Sequence, residues 1–166
     1  ELVQQKGRAE EELIADADRD REMKRGRGGL REVEFPVLGL QLLHGARQPT
    51  LQPYDLRKAI RNLEILRILS PEESETLRGG YDFWRRLEDF LQMRQIRQTH
   101  LLPDMAEEMD RLARAMGKGT GGDLEKEVEG WRLRVRKVYD SIFGELQPQK
   151  ISGFDGLSQV TWEDAK

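Results

Sequence analysis

Leu124, Val128, Trp131, Val135, Val138 and Ile142 follow one another at alternating intervals of four and three residues. That spacing draws one stripe along an α-helix, the seam of a helical bundle, and a pleated strand of period two does not satisfy it. The seam predicts a helix over 123–146 and requires at least two further helices to cover it. Those helices are found upstream. Leu56, Ala59, Ile60, Leu63 and Leu66 mark one side of a helix over 54–69. Ser70-Pro71-Glu72-Glu73 is a start signal, with Ser as N-cap, Pro at the first helical position and Glu three residues after the cap. The long helix it opens carries Leu77, Tyr81, Trp84, Leu87 or Glu88, and Leu91 on its face, and Pro103 ends the region. Gly79-Gly80 is expected to weaken or kink it, at about 1 kcal/mol per glycine relative to alanine.

The remaining segments fit the same plan. Leu30, Val33, Val37, Leu40 and Leu43 predict a helix that begins close to Arg31, so that Pro36 falls in or near the first turn, and that stops at Gly45. Ala46–Pro53 reads as a loop. Asp104 is expected to cap a short helix with Met105, Met109, Leu112 and Met116 inward, closed by Gly117. Gly117–Gly122, G-K-G-T-G-G, has the wrong order for a phosphate-binding P-loop and follows a helix rather than a strand, so it reads as a flexible inter-helix loop. No alternating stretch is long enough for a sheet. The fold class expected is all-α, an antiparallel bundle of four to five main helices.

Composition supports one domain of this kind. The 166 residues suffice for a core without disulfides, and 36% charged against 37% hydrophobic residues suits solvated amphipathic helices. There is no cysteine, which excludes disulfide and cysteine-metal chemistry. A net charge of -3 argues against general nucleic-acid affinity while leaving room for a local basic patch. Nothing approaches the ~18 apolar residues of a membrane span. The chain opens on Glu1 inside a helix-friendly stretch, which suggests a piece of a longer protein. We divide it into an N-terminal helix (1–23) continuing from a missing upstream part, which the resemblance given below implies is a catalytic domain, a bundle (24–146) and a linker or tail (147–166).

Chemistry concentrates in Lys24–Phe35, K-R-G-R-G-G-L-R-E-V-E-F. Its glycines allow sharp turning or close approach, and a helix opening just after them directs N–H groups toward an anion. Lys24, Arg25, Arg27 and Arg31 supply cations suited to phosphate. Glu32 and Glu34 share a side of an extended segment but lie roughly 200° apart on a helix, so both need not face one metal ion. The residues alone leave a phosphate-facing corner and a tight turn with a charged helix start equally open. Asp16, Asp18 and Asp20 resemble the start of a calcium loop, but Arg21 and Arg27 stand where glycine and glutamate are needed. His44 and His100 have no metal-ligand neighbour at helical spacing and read as helix-end residues. Arg85, Arg86, Arg94 and Arg97 read as ion-pair partners of Glu88 and Asp89 and their neighbours.

The glycine-rich run, continuing into Leu40-Gln41-Leu42-Leu43-His44-Gly45 and Pro49-Thr50-Leu51, resembles the glutamine synthetase adenylyltransferase family. Tyr81, Phe83, Arg85-Arg86-Leu87-Glu88, Leu91-Gln92, Gln98-Thr99-His100 and Leu102-Pro103 extend the resemblance over roughly residues 20–145. The family is bifunctional, adding AMP to a tyrosine of glutamine synthetase and removing it. Each half is a nucleotidyltransferase domain followed by a helical bundle. The Arg31-Glu32 pair and the downstream series look more like the adenylyl-removing half. Pro36, Gly39 and Gly79-Gly80 depart from the family pattern. The catalytic Gly-Ser turn and Asp-x-Asp pair are absent here, so no catalytic or metal residue is assigned. The resemblance implies that Lys24, Arg27, Gly28, Gly29, Arg31, Glu32 and Glu34 form one edge of a nucleotide site. For the parent it implies ATP, ADP or phosphate with magnesium, a cytoplasmic location, and glutamine synthetase and the PII signal protein as partners. The fragment alone is expected to be inert. The alternatives are the helical domain of a uridylyltransferase-like nitrogen sensor, and a bundle that only docks PII or glutamine synthetase.

Overall fold

The computed structural model describes Asp18, residues 21–94 and residues 100–145. The expectations for residues 1–17, for Asp20, for Arg97, Gln98 and Thr99, and for the C-terminal linker lie outside the described residues. Five helices follow in order among the described residues: α1 (Leu30–His44), α2 (Leu56–Ile65), α3 (Pro71–Arg94), α4 (Ala106–Ala115) and α5 (Gly121–Glu145), with a 3-10 turn at Pro49–Leu51 between α1 and α2. The described residues contain no β-sheet. One isolated antiparallel bridge joins Glu22 to Leu101. The all-α bundle expected from the stripes is what forms.

The predicted seam of α5 is realised: Leu124, Val128, Val135, Val138 and Ile142 are buried, with Trp131 packed against the core. Against it lie Leu30, Val33, Val37 and Leu40 of α1 and Leu77, Trp84, Leu87 and Leu91 of α3. Removing these side chains from water, at about 1.5–3 kcal/mol each, is the main force holding the helices together. Ion pairs and hydrogen bonds give the directions. Gly28 meets Arg132 and Glu32 meets Arg136, so α1 and α5 ascend together. Ser141 meets Glu73, so α3 runs against α5.

Helix ends show which local signals held. The capping box at the start of α3 forms, with Glu73 N–H donating to Ser70 Oγ (3.2 Å) and Ser70 N–H to Glu73 Oε2 (2.9 Å). The second helix is shorter than its apolar pattern, ending at Ile65. Ile68 N–H then reaches back to the Leu63 carbonyl and Arg67 N–H to that of Glu64, both at 2.9 Å, closing the helix in a Schellman turn. That turn holds Arg67 at φ 57°, the left-handed region that costs a side-chain-bearing residue roughly 1–2 kcal/mol. Arg67→Gly is therefore expected to stabilise the chain by about 1 kcal/mol, raising the thermal midpoint by roughly 2–4 °C. A calorimetric scan of both chains checks it.

Four expectations are corrected. Pro36 is the seventh residue of α1, beyond the first turn, where it denies the Glu32 carbonyl a helical donor. Its buried ring offsets part of that cost. Met105 is exposed and Asp104 caps nothing: Met105 itself precedes α4 with no side-chain cap, and Asp104 faces Arg21 at 3.8 Å. Gly117–Gly122 is not loop throughout, since Gly121 and Gly122 are the first residues of α5. Gly117 (φ 78°) ends α4, Thr120 and Asp123 exchange hydrogen bonds, and Gly121 N–H donates to Asp110 Oδ1 at 2.6 Å. Finally, Gly79-Gly80 lies within one continuous helix as the place where α3 crosses α5. A Cβ on Gly79 would stand 2.6 Å from the Trp131 ring and one on Gly80 would stand 2.8 Å from Val135. The absent side chains make room for a tryptophan.

Candidate functional site

Lys24–Glu34 is laid out by what comes just before it. Residues 21–23 run antiparallel to 100–102: Met23 N–H donates to the His100 carbonyl and Leu102 N–H to that of Arg21, both at 2.9 Å, and Arg21 Nε adds a bond to the Leu102 carbonyl. Met23, fully buried, pins this strip to the core. The chain then folds around the buried carboxylate of Glu22, which accepts from the N–H groups of Lys24 (2.8 Å) and Arg25 (3.2 Å). Gly28 adopts φ 69° and lies against the backbone of α5, where a Cβ would stand 2.2 Å from the Arg132 carbonyl oxygen. Its N–H donates to Glu32 Oε2 at 2.8 Å.

The helix start that could have faced an anion is closed from within. The N–H groups of Leu30, Arg31 and Glu32 donate to the carbonyls of Met23, Lys24 and Gly29. Gly28 and Gly29 thus serve close approach between chain segments, and their N–H groups are satisfied by Glu32 Oε2 and the Gly26 carbonyl.

The carboxylates are likewise engaged. Glu32 is buried between Gly28 and α5, its Oε1 accepting from Arg136 Nη1 at 2.7 Å. Glu34 Oε1 accepts from Arg85 Nη2 at 2.8 Å, and the other arm of Arg85 donates to Glu88 Oε2 at 2.7 Å. Glu88, buried on the inner side of α3, also takes Lys24 Nζ at 3.1 Å. Arg132 Nη2 donates to the Glu22 carbonyl. His100 is not a helix-end residue: it stands beside this group, Nδ1 3.4 Å from Glu88 Oε1. Among the described residues no cluster of three carboxylates or histidines is placed to hold a metal ion.

Burial pushes the Glu88 carboxyl up, but Lys24 and Arg85 outweigh it and hold it below its ordinary value. Burial and the neighbouring Lys24 ammonium keep His100 below the usual imidazole range, against the opposing pull of Glu22 and Glu88. Because the folded value of Glu88 is depressed, its stabilisation is complete above the ordinary value of 4.5 and is lost as pH falls through the folded value. Urea midpoints taken from about pH 5 down to about pH 3 are expected to fall less steeply for Glu88→Gln than for the parent chain.

The predicted site residues therefore divide in two. Gly28, Gly29 and Glu32 turn inward, and Lys24 and Glu34 are tied to α3. Arg27 is exposed and Arg31 half-exposed, its guanidinium 5.6 Å from the centre of the Phe35 ring. Arg25 is also exposed, with Nε 3.8 Å from Glu22. Sequence reasoning missed Glu22, Arg132 and Arg136 as parts of the corner. For Glu88 a signal existed, since a carboxylate on an apolar helical stripe needs a buried cation.

A model of the family described as GlnD PII-uridylyltransferase matches residues 2–143. The chain belongs to this family. Among curated proteins it is 34% identical over 141 residues to the bifunctional glutamine synthetase adenylyltransferase/adenylyl-removing enzyme of Thioalkalivibrio sulfidiphilus, covering 84% of this chain and 14% of that protein. The enzymes of the same name from Corynebacterium efficiens (35% over 140 residues, 80% of this chain, 13% of the relative) and Pseudomonas aeruginosa (36% over 148 residues, 86% and 15%) are similar to it to the same degree. The chain thus spans about one seventh of the length of these relatives. The kinship with glutamine synthetase adenylyltransferases, expected from the glycine-rich run and the series after it, is borne out. Family membership gives the corner a context: the run that carries the resemblance is the one the bundle fixes from three sides.

Proposed function

We propose that this chain is a helical domain of a glutamine synthetase adenylyltransferase, placed against a nucleotidyltransferase domain and shaping one edge of its site. The observation that carries this is the division of the glycine corner. Its backbone and carboxylates are consumed in holding it rigid, while Arg27 is exposed, Arg31 half-exposed against Phe35, and Arg25 exposed beside Glu22, all on a fixed frame. A preorganised set of arginines suits the phosphates of a nucleotide or inorganic phosphate bound mainly by another domain. In this reading Lys24, Gly28, Gly29, Glu32 and Glu34 position those cations. The described carboxylates do not suit a magnesium ion, because Glu22, Glu32, Glu34 and Glu88 already serve N–H groups or cations of the chain. Magnesium and the catalytic carboxylates of the parent would then come from the nucleotidyltransferase domain. The parent reaction would be phosphorolytic removal of AMP from a glutamine synthetase tyrosine in the cytoplasm, governed by PII.

Adding this chain to adenylylated glutamine synthetase with phosphate and magnesium is expected to leave the bound AMP in place; removal of AMP by the chain alone would overturn the reading. In an intact enzyme carrying this domain, Arg27→Ala with Arg31→Ala is expected to reduce turnover about tenfold with partner binding retained. Unchanged turnover with lost binding of glutamine synthetase or PII would instead assign the domain to docking. The description of the matching family favours a second reading, a uridylyltransferase-type sensor. Activity of the intact protein toward PII rather than glutamine synthetase would establish it.

A further inference from the structure

Helix α1 carries two seams. Leu30, Val33, Val37 and Leu40 face the core, as described. Arg31, Phe35, Leu38 and Leu42 follow at intervals of four, three and four on another side. Leu38 is 47% and Leu42 84% exposed, and beside them a groove of about 590 Å³ is lined by Leu51, Gln41 and Gln52. The arginine end of this second seam is not paired with a carboxylate among the described residues. Among the described residues, Glu22, Glu32, Glu34 and Glu88 are each engaged with N–H groups or with other cations, while Arg27 is exposed and Arg31 half-exposed. A four-three-four spacing is what a facing helix needs for its side chains to interdigitate. The charge is confined to one end. A helix adapted to an anionic lipid surface carries cations along the flanks of its apolar face, which this one does not.

We propose that the outer seam of α1 docks an acidic amphipathic helix of a partner protein or domain. The partner's carboxylates meet Arg27 and Arg31, and a bulky apolar side chain about 16 Å further along fills the groove beside Leu42. The charge at one end fixes the partner's direction, and the leucines supply the buried area. The leucines and the groove are separate from the nucleotide edge proposed above, but Arg27 and Arg31 are shared with it, so a bound phosphate and the partner helix compete for them.

The test uses the whole 166-residue chain and a labelled synthetic helix of about five turns, with leucines at the seam positions and glutamates in one terminal turn, beside a copy with lysine for each glutamate. Fluorescence anisotropy is expected to show the glutamate peptide binding at least about tenfold more tightly than the lysine peptide. Leu42→Glu, a change at an exposed position verified by circular dichroism, should abolish binding, and Arg27→Glu with Arg31→Glu should reverse the preference. Equal binding of the two peptides, or binding of neither, overturns the proposal. So does concentration-dependent dimerisation that Leu42→Glu suppresses, which would make a second copy the occupant, and so does binding of anionic vesicles with the same residue dependence.

Discussion

Gly28→Ala is expected to cost about 4 kcal/mol or more, the largest effect of any single methyl added to the described chain. Two penalties combine. A backbone held at φ 69° resists any side chain, by about 1 kcal/mol. The added Cβ would also stand 2.2 Å from the Arg132 carbonyl oxygen and 2.4 Å from its Cα, so α1 and α5 must part along their whole contact. Backbone atoms inside a helix cannot rotate away as a side chain can, and separated helices lose close packing at every buried residue between them. At about 4 kcal/mol the thermal midpoint falls by roughly 8–16 °C. Gly39→Ala is the internal control: a Cβ there meets nothing within 4 Å, and alanine in that helical position should stabilise by about 0.5–1 kcal/mol. Similar effects at the two glycines would show that Gly28 is not where the helices meet.

The second large effect is expected at Glu32. A carboxylate kept for a ligand usually leaves stability unchanged or improved when it is removed. Glu32→Ala should instead destabilise by about 2–3 kcal/mol, because it strands the buried Gly28 N–H and takes from the half-buried Arg136 one of its two carboxylates, leaving Asp140 as its remaining partner. Glu32→Gln keeps an acceptor for Gly28 and loses the charge pair, so its cost should be about half as large. A double-mutant cycle with Arg136→Ala measures the pair directly, and a coupling of about 1–2 kcal/mol is expected. Zero coupling in urea titrations would mean that the ion pair does not hold the corner.

These positions show where reading the residues sufficed and where it stopped. The stripes of α3 and α5, the Ser70–Glu73 box and the closure at Gly117 were legible because each is a local pattern of helix geometry or capping. The corner's cations were legible too. Its fastening was not, because the partner of Gly28 is a backbone carbonyl at Arg132, and no local pattern marks a place that lies close to a distant helix. The same applies to Gly79-Gly80, whose penalty in an isolated helix is visible in sequence while the tryptophan it accommodates is not. Met105 fits the apolar spacing but precedes the helix, where the 3.6-residue period no longer decides direction. Glu88 was noted as an alternative to Leu87, and both are buried: a wide stripe accommodates a paired carboxylate beside an apolar neighbour.

The reach of the contacts that close the corner sets a schedule for its formation. Lys24 waits for Glu88, 64 positions on; Glu32 waits for Arg136, 104 positions on; and the Glu22 carbonyl waits for Arg132, 110 positions on. At ordinary translation speeds the last of these emerge roughly 5–20 s after the corner itself has been made. Lys24 lacks its counter-ion until Glu88 is made, and Gly28 has no helix to lie against until Arg132 is, so nascent chains cut before Arg132 present a loop of different shape from the finished domain. The element made first among the described residues is thereby one of the last to be set. A ribosome stalled within α5 holds a chain whose other helices can pair while its arginines still have no fixed address.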